Sequence, residues 1–195
     1  MKHTIIGLVS LSVFAASSAV AHTGVAVSSG MAAGMFHPIG GLDHILAMVA
    51  VGILAAQHGG RALWWVPASF VALTAVGGVL GVYGADVPFV EQGIAGSVII
   101  LGAVVAWGGK LPLAAVMTLA GGLAVFHGHA HGTEMPLNVS GMTYSLGFIA
   151  VTAALHALGM GLSIALHTYM EKSARLAARA GGAGIALAGA ALAVS

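Results

Sequence analysis

Long apolar runs, following one another with few fixed charges between them, are the feature that most restricts what this chain can fold into. A hydrocarbon core about 30 Å thick is crossed by roughly 20 helical residues at about 1.5 Å each. The sequence offers about six such stretches: Val25 or Pro38 to Gln57, Ala62 to Gly84, Phe89 to Trp107, Leu111 to His127, Met142 to Leu166 and Ala174 to Val194. Only 6% of the residues are charged and 59% are hydrophobic, whereas a soluble domain carries about 25% charged residues. So few charges cannot solvate the surface of a globule, but they suffice for the short loops of a bundle whose perimeter is lipid. The expected fold is all-α, a polytopic membrane helical bundle. No Pro/Ser linker or low-complexity tail interrupts it, so residues 22–195 read as a single transmembrane domain.

Residues 1–21 have the three parts of a cleaved signal peptide: Lys2 and His3, an apolar run from Ile5 to Ala16, and the small-residue site Ala19-Val20-Ala21. The run is too short for a comfortable span. Cleavage would make His22 the first residue of the mature chain, outside the cytoplasm. Charge gives the same topology independently. Arg61, then Lys110, then Lys172, Arg175 and Arg179 fall in the first, third and fifth connections, which should therefore be cytoplasmic. The second and fourth hold Asp86, Glu91, His129, His131 and Glu134 without Lys or Arg. The expected location is a bacterial inner membrane with a periplasmic N-terminus.

Composition excludes several chemistries. A formal net charge of +1 gives no reason to expect nucleic acid. The absence of cysteine rules out disulfides, iron–sulfur clusters and thiolate metal sites. Any metal must be held by imidazole, carboxylate, thioether, backbone or water. Gly108-Gly109-Lys110 is followed by Leu111 and lacks the spacing and Ser/Thr of a nucleotide-binding loop.

Ten histidines carry the remaining information. The first constellation, His37-Pro38-Ile39-Gly40-Gly41-Leu42-Asp43-His44, places an ionisable pair just inside an apolar span, where charge is costly and usually functional. On an unbroken helix His37 and His44 would stand about 10 Å apart along the axis, too far to share an ion. A break is expected here, with Pro38 suited to a helix start and Gly40 and Gly41 loosening the backbone, so that His37 folds back toward Asp43 and His44. The bland alternative is a Pro kink with an interfacial histidine.

The second constellation, Phe126-His127-Gly128-His129-Ala130-His131-Gly132-Thr133-Glu134, aligns His127, His131 and Glu134 on one face if helix continues through it. The His pair has the i, i+4 spacing used to grip metals. His129 would point away, as a supporting or entry residue. His156, near the middle of the fifth span, is a transport-path or proton-relay candidate, with a structural hydrogen bond as an even competitor. His58 and His167 at helix ends, and Met35, Met48 and Met160, read more simply as packing and interface residues. His22 could chelate one ion with its free amine and its imidazole, against the simpler reading of a disordered terminus. Selection groups gathered at the outer end are the arrangement of an importer.

These two motifs resemble those of the HupE/UreJ family of nickel permeases, associated with hydrogenase and urease maturation. The resemblance covers essentially the whole chain. Its patterns are His-five residues-Asp-His at His37, Asp43 and His44, and Phe-His-Gly-x-Ala-His-Gly-x-Glu at Phe126, His127, Gly128, Ala130, His131, Gly132 and Glu134. The resemblance implies that the matched residues recognise and conduct nickel, with His129 at a variable position. The implied cargo is Ni²⁺, with Co²⁺ served by a similar ligand set, and no permanently bound cofactor. The expected partner is the lipid bilayer, while a homo-oligomer and a cytoplasmic nickel chaperone for hydrogenase or urease are left open by the sequence. Two other classes stay open at this point: an intramembrane Zn-dependent hydrolase with Glu134 as general base, and a haem protein with paired axial histidines.

Overall fold

A computed structural model describes residues 30–170 and 173–194. The expected signal peptide, His22 and Lys172 lie outside the described residues. The described residues form seven helices: α1 (Gly30–Gly40), α2 (Leu42–His58), α3 (Ala62–Val82), α4 (Val90–Trp107), α5 (Leu113–Thr133), α6 (Gly141–Tyr169) and α7 (Ala174–Leu192). Four of them, α3 to α6, are long and apolar enough to cross a membrane, and α1 with α2 makes a fifth crossing if the bent pair counts as one. The sixth expected stretch is α7, whose nineteen residues span roughly 28 Å at the α-helical rise. Arg175 and Arg179 near its start dilute its apolarity.

Three expected boundaries moved. The first span is broken, with α1 and α2 meeting at 84°. The break falls at Gly41 and not at Pro38, which is buried inside the last turn of α1. A Cβ on Gly41 would lie 2.5 Å from Asp43 Oδ1 and 2.8 Å from His44 Nδ1, so the bare glycine leaves room for that pair, while nothing crowds Gly40. Helix α5 does not end at His127 but runs on to Thr133, and α6 is extended to 29 residues.

Helix α2 is the centre of the bundle and packs against every other helix. Its Ala47, Met48, Ala50, Val51, Leu54 and Ala55 are completely buried. The connections hold to the topology expected from charge, with Arg61 and Lys110 at one end of the bundle beside exposed Trp64, Trp65 and Trp107. Amphipathic rings beside cations are the usual dress of a membrane interface.

Helices α3 and α5 approach most closely, through glycines on both. A Cβ on Gly128 would collide with the Thr74 carbonyl, one on Gly132 with the Gly78 carbonyl, and one on Gly77 or Gly81 with carbonyls of α5. Without a hydrophobic drive between helices in lipid, such backbone-to-backbone packing is what holds a pair together. Two glycines of the second motif therefore serve the seam with α3.

Candidate metal site

The break at Gly41 leaves His37 in the last turn of α1 and Asp43 and His44 in the first turn of α2. Helical through Thr133, α5 carries His127 and His131 one turn apart, with Glu134 as its C-cap. These two segments, about ninety residues apart in sequence, face each other. His37 Nε2 lies 3.2 Å from Glu134 Oε2. The His131 ring is 4.5 Å, centroid to centroid, from both His37 and His44, and His44 is 4.7 Å from His127.

Exposure falls steadily inward. The side chain of Glu134 is 59% exposed, His37 25% and His44 12%, while His131 and His127 are buried. The group is thus a funnel with a carboxylate at its mouth. His37 beside Glu134 holds that carboxyl below the ordinary carboxylate range, which keeps it ionised wherever a cation would need it.

The hydrogen bonds assign the donor atoms. Asp43 Oδ1 accepts the backbone N–H of His44 and the His44 ring Nδ1–H, both at 2.7 Å. A carboxylate accepts only, so His44 carries its proton on Nδ1 and keeps Nε2 as a free lone pair. That Nε2 is buried and without a partner. Ser97, fully buried on α4, gives its hydroxyl proton to the Ile94 carbonyl at 2.7 Å. Its oxygen is then left to accept from His127 Nε2, also at 2.7 Å. His127 therefore keeps a lone pair on Nδ1, which is buried and unpartnered, as are both ring nitrogens of His131. Buried polar atoms without partners are rare and call for an explanation. Four such imidazole nitrogens in one cluster are a set of donors that a ligand could satisfy. Among the described residues no three donors are preset around one common point, so an ion would be passed between pairs or would draw the rings together.

The structure brings His37, Asp43, His44, His127, His131 and Glu134 into this cluster. It does not bring His129 or His156. The His129 ring turns to the other side of α5 and donates from Nε2 to the Ala85 carbonyl at 2.8 Å, tying down the α3–α4 connection. His156 on α6 is buried, with both nitrogens unpartnered. The ring of Phe70 is near both it and the cluster, 6.0 Å from His127 and 5.2 Å from His156. His58 has a structural place, donating to the Leu54 carbonyl and accepting the Leu111 N–H at 3.1 Å.

Sequence reasoning missed Ser97, Phe70, Tyr144 and Phe148. The last two face His37 and His131 from α6, at 6.0 and 4.2 Å between ring centroids. A cavity of about 300 Å³ between α3, α5 and α6, lined in part by Thr74, Gly128, His131, Tyr144 and Phe148, opens onto the cluster from the side. Serine and phenylalanine in apolar helices carry no spacing signal.

Compared with known proteins, the chain matches the family described as HupE / UreJ protein over residues 9–192. It is 47% identical over 178 residues to Protein HupE of Rhizobium leguminosarum bv. viciae, covering 91% of each chain. No solved structure matches.

Proposed function

The chain belongs to the HupE/UreJ family, and from that membership and the geometry of its histidines we propose that it imports a divalent transition metal ion, Ni²⁺ before Co²⁺, across a bacterial inner membrane. The observation that carries this reading is the convergence of His44 Nε2, His127 Nδ1 and both nitrogens of His131, buried and unpartnered, beneath the His37–Glu134 pair. Glu134 and His37 draw a hydrated cation to the mouth. Its waters then exchange for neutral imidazoles, whose affinity without a thiolate is intermediate and permits release. The ion is cargo, and the bundle acts as a carrier rather than an enzyme.

Direction follows from charge. Arg61, Lys110, Arg175 and Arg179 gather at the end of the bundle opposite the cluster, which the positive-inside rule places in the cytoplasm. The cluster then opens to the periplasm. An inside-negative potential supplies about 2.3 kcal/mol per charge per 100 mV, and a divalent ion gains twice that. The metal is destined for hydrogenase or urease maturation, through a cytoplasmic chaperone.

The test is uptake of Ni²⁺ and Co²⁺ into proteoliposomes at an imposed inside-negative potential, comparing the unaltered chain with His44→Ala and His131→Ala. Entry that both substitutions abolish is the expected result. No entry above empty liposomes, with one metal retained tightly by the purified protein, would overturn the reading in favour of a resident-metal enzyme.

A further inference from the structure

Below the cluster the bundle contains a second set of buried polar groups. Helix α6 is the ruler. Tyr144 faces His37, Phe148 faces His131, and His156 faces Phe70. At about 1.5 Å per residue, His156 lies roughly 12 Å deeper than Phe148, with Thr152 halfway between and Ser163 roughly 10 Å deeper still. Thr152, His156 and Ser163 share one face of α6, because their spacings of four and seven residues return to the same side. All three are buried, at 0%, 1% and 2% exposure. Thr152 Oγ1, Ser163 Oγ and both His156 nitrogens have no hydrogen-bond partner.

An unpaired polar atom in such an interior is destabilising. Threonine and serine in a helix can bond the carbonyl one turn back, as Thr168 does to Ile164, yet Thr152 and Ser163 do not. Phe70 stands where the file leaves the cluster. Its ring is completely buried and lies 6.0 Å from the His127 ring and 5.2 Å from that of His156, the latter edge-on. Thr74, the next turn of α3 toward the cluster, lines the cavity that reaches His131.

We propose that His156 and Ser163 form an inner station for the permeating divalent cation and its waters, that Thr152 stands one turn nearer the cluster on the outer side of the Phe70 ring, and that this ring is the barrier between the two. The proposal rests on the permease reading. The ring blocks a continuous polar path, and its rotation away from His156 is the step that admits an ion. The imidazole is the one strong donor of the inner station, and the Ser163 hydroxyl serves the ion's remaining waters.

Because the chain has no cysteine, an introduced thiol is the protein's only one, and it is counted after the glutathione is washed away. Thr152→Cys and Ser163→Cys would be reconstituted in vesicles with the cluster facing outward and glutathione inside, then exposed to external Ag⁺. Thiol remaining is titrated by alkylation after denaturation. The Thr152→Cys thiol is expected to react at the same rate with or without Phe70→Ala. The Ser163→Cys thiol is expected to react at least tenfold faster when Phe70→Ala is added, with Phe70→Leu intermediate. The leucine variant carries the test if the alanine variant fails to assemble. Unchanged Ser163→Cys reactivity in an assembled variant would overturn the proposal, as would equal acceleration at both positions. This readout needs no nickel transport. Absent nickel uptake by the unaltered chain sinks the permease reading, while unchanged silver access sinks the barrier.

Discussion

The ring of His44 stands at 88° to that of His127, with 4.7 Å between centroids, and each ring has its outer nitrogen already engaged. Asp43 accepts a hydrogen bond from the ring N–H of one and Ser97 from that of the other. Both free lone pairs are thereby left for the space between α2 and α5. Oriented imidazoles of this kind are the usual device of metal sites, where the supporting partner fixes tautomer and ring direction.

Ser97→Ala removes the acceptor of His127 Nε2 and leaves that N–H buried without a partner, a loss of about 1–3 kcal/mol. The ring then gains by turning, and the tautomer is no longer fixed. Nickel uptake at limiting metal is expected to fall by about 10-fold or more, the range for lost supporting partners in metal sites. The bundle should still assemble, which size-exclusion chromatography in detergent would show. Ser97→Thr, keeping the hydroxyl, should recover most of the uptake. Equal loss in both variants would mean that Ser97 acts through packing alone.

Gly132→Ala tests the seam that carries the second motif. An added methyl meets the Gly78 carbonyl, part of the backbone and unable to move aside cheaply. Overpacking a tight core costs about 1–3 kcal/mol, and backbone collision should sit at or above the upper end. The expected outcome is a lower midpoint of thermal unfolding and reduced yield in the membrane, with Gly122→Ala on the same helix, where nothing lies nearby, close to neutral. Equal stability of the two variants would show that α3 and α5 can separate freely.

Much of this was legible in the residues, because lipid imposes simple rules. Apolar length gave the helices, and the placement of Arg61, Lys110, Arg175 and Arg179 gave an up-and-down topology that the connections of the structure share. The break between His37 and Asp43 was foreseeable from an ionisable pair that no straight helix could use, although it fell at Gly41 because Asp43 and His44 need the space of a missing Cβ. The extension of α5 to Thr133 was obscured by two glycines and three histidines, which read as a loop until α3 packs against them. Ser97 and Phe70 were invisible because their roles arise from contact between helices, about 30 and 57 residues from His127, and no periodicity records that.

External pH should govern capture through the histidines and not through Glu134. His37 lowers the Glu134 carboxyl below its ordinary value, so the mouth keeps its negative charge down through pH 5. A protonated imidazole, by contrast, has lost the lone pair that binds metal. Initial uptake at subsaturating Ni²⁺, with the potential held constant, is therefore expected to be level near neutral pH and to decline once external acid protonates the rings. A rate that rises on acidification would point to proton-coupled transport and against histidine-first capture.

Glu134→Gln should separate attraction from permeation. The glutamine keeps the size of the side chain and can still meet His37 Nε2, but the charge at the mouth is gone, and with it the electrostatic gain in local cation concentration, which ranges from about 10-fold upward for a focused site. Half-saturation for Ni²⁺ is expected to rise several-fold with little change in maximal rate, since the buried nitrogens of His44, His127 and His131 are untouched. The difference should shrink as ionic strength increases, because at about 0.1 M the Debye length is near 10 Å and Glu134 is 59% exposed. A fall in maximal rate at saturating metal, insensitive to salt, would place Glu134 among the groups the ion must bind directly on its way inward.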